Sequence, residues 1–170
     1  MSAAYASAVD TDLSPLPAGT LAPAFTLPDA SGEAFALADA RGRPLVLVFY
    51  PDDREPVSVD QLARCQAFLA DIHDLGAWLA GISVDSVRSH AAFAAERTLT
   101  FPLLSDVEPK GAVARAYGVY REDEGRSGRA LFVVDGSGII RWSRAYPTDV
   151  DPGVDGLLTA LEGIGARRGL

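Results

Sequence analysis

Residues Pro44 to Tyr50 read Pro-Leu-Val-Leu-Val-Phe-Tyr, and Pro51 follows at once. An apolar run of this length and β-branched content has the character of a strand buried on both faces, not of one alternating between core and water. A chain holding such a strand must cover both sides of a sheet with further layers. Pro51 ends the strand because it has no N–H to give to a ladder. An amphipathic stretch over about Pro56 to Asp74 predicts the helix that follows. The junction of strand, short loop and helix N-terminus suits a reactive anion, since free backbone N–H groups and the helix dipole both favour negative charge there.

The rest of the chain alternates in the same way and reads as α/β. Phe25–Leu27 and Ala34–Leu37 flank Asp29-Ala30-Ser31-Gly32, which predicts an N-terminal β-hairpin. A strand over Ala77–Val84 and a helix over Ser86–Arg97 come next. A short strand, Phe101–Leu104, precedes a helix over Lys110–Tyr117 with Gly118 as its C-cap. Ala130–Val134 and Ile139–Arg144 pair around Gly136-Ser137-Gly138. Asp151-Pro152 reads as the cap and first turn of a last helix to about Ile164.

Composition narrows the function classes. A chain of 170 residues is expected to form one domain, residues 17–170, after a flexible tail at 1–16. That length buries roughly 70% of the unfolded chain's surface. No apolar run reaches the 18 or so residues of a membrane span. The N-terminus has neither the basic nor the continuous apolar region of a signal peptide, so a cytoplasmic location is expected. A net charge of −8 disfavours nucleic acid and anionic membrane as partners. The single cysteine excludes an intrachain disulfide and a multi-thiol metal site; no metal and no cofactor are expected.

Several segments, in order, resemble one family. Gly19-Thr20-Leu21-Ala22-Pro23-Ala24-Phe25-Thr26-Leu27 is similar to an opening G-x-x-A-P-D-F-x-L, with Ala24 in place of Asp. The run Phe49 to Ser58 resembles the active-site segment of peroxiredoxins: strand, Pro, three residues, Thr, two residues, Cys. Gly81-Ile82-Ser83-Val84-Asp85-Ser86 with Ser89-His90 and Phe93 follows, then Phe101 to Asp106, Ala116 to Val119, and Arg129 to Asp135. The match covers about residues 17–145. It is most similar to the bacterioferritin comigratory protein or PrxQ branch of the alkyl hydroperoxide reductase/thiol-specific antioxidant family. The resemblance implies a thioredoxin-like fold, a central mixed sheet flanked by helices.

It also implies a chemistry and a gap in it. In the family a Cys thiolate attacks the peroxide, an Arg stabilises the thiolate, a Thr hydroxyl orients the peroxide and a Pro shields the pocket. By motif position Pro51 and Arg129 are kept, Glu55 stands for Thr, Ser58 for the peroxidatic Cys, and Val59 for the Thr after it. A serine hydroxyl is far less acidic than a free thiol with its pKa of roughly 8.5, and it forms no sulfenic acid. No His lies in the segment to act as its base. On the family geometry Glu55 falls within a few ångströms of Arg129, close enough for strong attraction. An ion pair filling the peroxide's place is one expectation; a first-turn acid held by the helix dipole is another, and the two are compatible.

Cys65 lies seven residues after Ser58, which on a helix is about 700° of turn and about 10.5 Å of rise. That places it near the same face, two turns from the pocket. The resolving-Cys position of the PrxQ-like branch falls instead on Ala63. A small buried helical residue is the simpler reading, a residual redox role the other. His73 and His90 lack partners at metal-ligand spacing and read as surface or helix-end residues. Asp149 to Gly156 has a faint calcium-loop look, but Ala160 occupies the position that needs Glu and Pro152 interrupts the loop. Gly136-Ser137-Gly138 is a turn and no phosphate cradle, because a strand follows it. Arg121 to Arg126 reads as a solvated loop, and Trp78 and Trp142 as core residues on strands.

Three functional readings follow. The first is a family member with a degenerate site, lacking thiol peroxidase activity and serving in binding or regulation. The second is a thiol-dependent peroxidase of hydrogen peroxide or alkyl hydroperoxides whose Cys was replaced by Ser58 artificially. Departures at Glu55, Ser58 and Val59 together favour natural loss over one deliberate change. The third gives Cys65 a weak redox role. The partner is then a thiol reductant or an unidentified protein, and the chain a monomer or homodimer.

Overall fold

The computed structural model describes residues 8–168. In chain order its elements are β1 (Thr26–Pro28), β2 (Ala34–Ala36), β3 (Leu45–Phe49), α1 (Pro56–Ala67), α2 (Leu69–Asp74), β4 (Trp78–Ser83), α3 (Val87–Arg97), β5 (Leu103–Ser105), α4 (Ala112–Ala116), β6 (Tyr120–Arg121), β7 (Arg126–Ser127), β8 (Arg129–Val134), β9 (Ile140–Tyr146) and α5 (Asp155–Arg168). The main sheet runs β5-β4-β3-β8-β9. β4 lies parallel to β3 and to β5, while β8 is antiparallel to both β3 and β9. β1 and β2 form the expected hairpin, closed by a turn in which the Asp29 side chain accepts from the N–H groups of Ser31 and Glu33.

β3 is the central strand, and all its residues are buried. Its side chains alternate between two cores. Val46 and Val48, with Tyr50 beyond the strand, join Leu62 and Cys65 of α1, Ile72 of α2, Phe93 of α3 and Leu157 and Leu161 of α5. Leu45, Leu47 and Phe49 face the hairpin and the α4 region, where Tyr117 and Phe132 pack edge-to-face. An unbroken apolar run is what a strand covered on both faces requires.

Several expectations change on the structure. The helix expected over residues 56–74 is two helices, because Phe68 leaves helical geometry at φ −102°, ψ 9°. The break re-aims α2 so that Leu69 and Ile72 are buried. The last helix starts at Asp155, not at Asp151: Gly153 has φ +68°, which no helix residue adopts, and Asp151 caps only the turn before it. Trp142 is half-buried against the core, but Trp78 opens on the surface at 36% exposure, with the Arg43 guanidinium 4.7 Å above its ring.

The segment read as a flexible tail is in part built into the domain. Asp10 N–H donates to the Ala145 carbonyl, Ser14 N–H to Gly118 and Leu16 N–H to Tyr117. Asp10 also pairs with Arg121. Residues 1–7 lie outside the described residues. Gly118, the expected C-cap of α4, is required twice over. Its φ is +79°, and a Cβ there would sit 2.1 Å from the Ser14 carbonyl oxygen.

Candidate functional site

The site forms where the loop after β3 meets the first residue of β8. Pro51 is buried at the start of that loop. Glu55 is the N-cap of α1: its carboxylate accepts from the N–H of Val57 at 3.0 Å and of Ser58 at 2.7 Å. Ser58, fully buried, donates its hydroxyl to Glu55 Oε2 at 2.6 Å. Arg129 Nη2 donates to the same oxygen, also at 2.6 Å. The ion pair and the helix-cap role anticipated for Glu55 are both present.

Arg129 is held on all sides. Its side chain has no exposed surface, whereas that of Glu55 keeps 13%. Nη1 donates to Gln61 Oε1 at 2.7 Å and to Ser58 Oγ at 3.1 Å, and Nε and Nη2 both donate to the Thr148 carbonyl. The register that sets Phe49 opposite Ala130 brings Arg129 to the C-terminal end of β3, beside the start of α1. Burial raises the Glu55 carboxyl, but the bonds from Ser58 and Arg129 outweigh it and hold the group below its ordinary range. Burial pushes Arg129 downward, opposed by Glu55. The cation is thus neutralised by a carboxylate of the same chain. The Ser58 hydroxyl faces a carboxylate that has no tendency to take its proton.

Cys65 is on α1 as expected, but it points into the core, with 1% exposure. Burial pushes its thiol up to about 12, and the nearby Asp151 adds to the rise. No thiolate forms there near neutral pH. His73 is exposed on α2, as read from the sequence.

Two parts of the site went unread in the sequence. Gln61 stands one helical turn beyond Ser58 on the same face, a spacing that would have exposed it. The second is a buried polar network beneath the loop. His90, read as a surface or helix-end residue, is fully buried within α3. Its Nδ1 lies 2.9 Å from Asp53 Oδ2, and its Nε2 lies 3.1 Å from the Leu104 carbonyl. Asp53 also accepts from the hydroxyls of Tyr50 and Ser89, each at 2.7 Å, and its N–H donates to Asp85. The network ties residues 50–53 to β4, β5 and α3, and so fixes where Glu55 begins the helix. Asp53, Asp85 and His90 bring potential metal-ligating atoms within 4.8 Å of one another. Each of those side chains already serves hydrogen bonds that satisfy it, so hydrogen bonding accounts for the cluster. No described helix is long and apolar enough to cross a membrane.

A mixed sheet flanked by helices, with a strand–Pro–loop–helix site at the end of its central strand, defines a thioredoxin-like fold of the peroxiredoxin kind. Residues 18–143 match the AhpC/TSA family, and the chain belongs to it. Among its relatives, alkyl hydroperoxide reductase E of Mycobacterium tuberculosis is 38% identical over 126 residues, covering 74% of this chain and 82% of that one. Peroxiredoxin 2 of Thermoplasma acidophilum is 29% identical over 152 residues, 86% of this chain and 75% of the relative. Among solved structures, peroxidoxin BcpB of M. tuberculosis superposes with a TM-score of 0.79 at 29% identity, covering 88% of this chain and 98% of that one. The bacterioferritin comigratory protein of Xanthomonas campestris, studied for alkyl peroxide reduction, gives 0.75 at 30% identity, over 83% and 92%.

Proposed function

We propose that this chain is a peroxiredoxin-family protein without thiol peroxidase activity, its pocket closed by its own carboxylate. By motif position Ser58 stands for the peroxidatic Cys and Glu55 for the Thr. The observation that carries the reading is the Glu55 carboxylate on Arg129 at 2.6 Å, with Ser58 donating to the same oxygen. A cation that would stabilise a thiolate and polarise a peroxide is already paired, and the residue nearest it has no sulfur to oxidise. Cys65 offers no substitute, because its thiol is buried and held protonated. Such a protein acts by binding or regulation, in the cytoplasm, as a monomer or homodimer.

The test is hydrogen peroxide consumption with a thiol reductant by the native protein, Ser58→Cys and Glu55→Thr/Ser58→Cys. Activity confined to the double variant is the expected result, since a carboxylate beside the new sulfur opposes its ionisation. Activity in Ser58→Cys alone would instead favour a working peroxidase pocket that lacks only its nucleophile. Activity in the native protein overturns the reading and returns attention to Cys65.

A further inference from the structure

We propose that the groove between α2 and α5 docks a cationic amphipathic segment of a partner protein. The groove has a volume of about 340 Å³ and shares no residue with the Glu55–Arg129 site. Its floor is Phe68, Leu75 and Leu158, and its rim carries Asp71, Asp74 and Glu162. Phe68 is 37% exposed, and Leu75 and Leu158 are half-buried. Leu158 and Glu162 are four residues apart on α5 and therefore share a face.

Charge selects the occupant. Asp71, Asp74 and Glu162 are exposed and have no ion-pair or side-chain hydrogen-bond partner among the described residues. Three uncompensated carboxylates around an apolar floor call for a ligand with apolar side chains on one face and Lys or Arg beside them. This is the helix-in-groove mode of recognition with its charges specified. The chain's net charge of −8 steers the same cations inward from a distance. An acidic segment would meet repulsion at the rim, and a neutral one would leave the rim unmatched.

The probe is a labelled, amidated peptide with Leu at helical i, i+3, i+4, i+7 spacing and Lys elsewhere, titrated with the full chain and read by fluorescence anisotropy. A second peptide carries Ser in place of every Leu. The Leu/Lys peptide is expected to bind, to weaken about tenfold against Asp71→Asn/Asp74→Asn/Glu162→Gln, and to shift amide resonances at 68–75 and 158–162. The Glu33→Gln/Glu96→Gln/Asp123→Asn variant removes the same charge elsewhere and is expected to bind as the native chain does. Equal binding of the Ser peptide, or equal weakening by the two triple variants, would reduce the effect to diffuse attraction and overturn the proposal. Sedimentation showing a dimer that the Phe68→Ser variant abolishes would make the groove a self-interface and overturn it equally.

Discussion

Exchanging Glu55 for Thr removes the ion pair and the acceptor of the Ser58 hydroxyl but keeps a helix-capping oxygen. Pairing the exchange with one at Arg129 isolates the ion pair. The paired atoms are 2.6 Å apart and Arg129 has no exposed surface. Charge centres about 4 Å apart attract by about 4 kcal/mol at an effective dielectric near 20. Desolvation of both groups offsets part of this. Arg129 also keeps the Thr148 carbonyl, Gln61 and Ser58 as acceptors when the carboxylate is gone. A coupling of about 2 kcal/mol is therefore expected in a double-mutant cycle of Glu55→Thr, Arg129→Met and the pair. Glu55→Thr alone should cost about 2–3 kcal/mol, which for a chain of this length lowers Tm by about 4–12 °C. Urea unfolding followed by tryptophan fluorescence supplies all four stabilities. A coupling below about 0.5 kcal/mol, with unchanged m values, is indistinguishable from additivity and refutes the argument.

Further outcomes follow from the same geometry. Because the folded Glu55 carboxyl lies below its ordinary range, its stabilisation is complete above the unfolded value of about 4.3 and is lost as pH falls through the depressed folded one. The stability gap between the native chain and Glu55→Gln should accordingly stay level from neutral pH to about 5 and narrow below it, as read by chemical denaturation at each pH. Cys65, with 1% exposure and a thiol pushed up to about 12, should resist a thiol-specific disulfide reagent until denaturant is added. Fast native labelling would show that α1 opens. Gly118→Ala forces a side chain into a positive-φ position 2.1 Å from a backbone oxygen and should cost about 2 kcal/mol or more in calorimetry.

The layered fold was legible because β3 has no polar residue to misread, and the hairpin because Asp29 and Gly32 are strong turn formers. Glu55 and Arg129 were legible as a pair only through the motif resemblance; 74 residues separate them, and no local period links them. The same distance problem hid His90. Asp53 lies 37 residues away, and a lone histidine carries no spacing that reports a buried partner. The break at Phe68 was hidden for another reason. Helical periodicity continues through it, and tertiary packing of Leu69 and Ile72 decides where the axis turns. Residues 8–16 carry no helical or strand period, and the contacts that hold them, backbone bonds to Ala145, Gly118 and Tyr117 and the packing of Leu13 and Leu16, all reach partners distant in the chain.

The pairing of β3 with β8 has a consequence for how the sheet finds its alignment. Phe49 faces Ala130, and only that alignment delivers Arg129 to Glu55. A slip of one residue turns every side chain of β8 to the opposite face. It would strand a guanidinium in an apolar layer, away from the carboxylate, the glutamine and the carbonyl that satisfy it. Misaligned sheets therefore carry a penalty of several kcal/mol that the native one does not. The Glu55–Arg129 contact thus works as a proof-reading device on strand alignment, checked once the two ends of a 74-residue stretch have met.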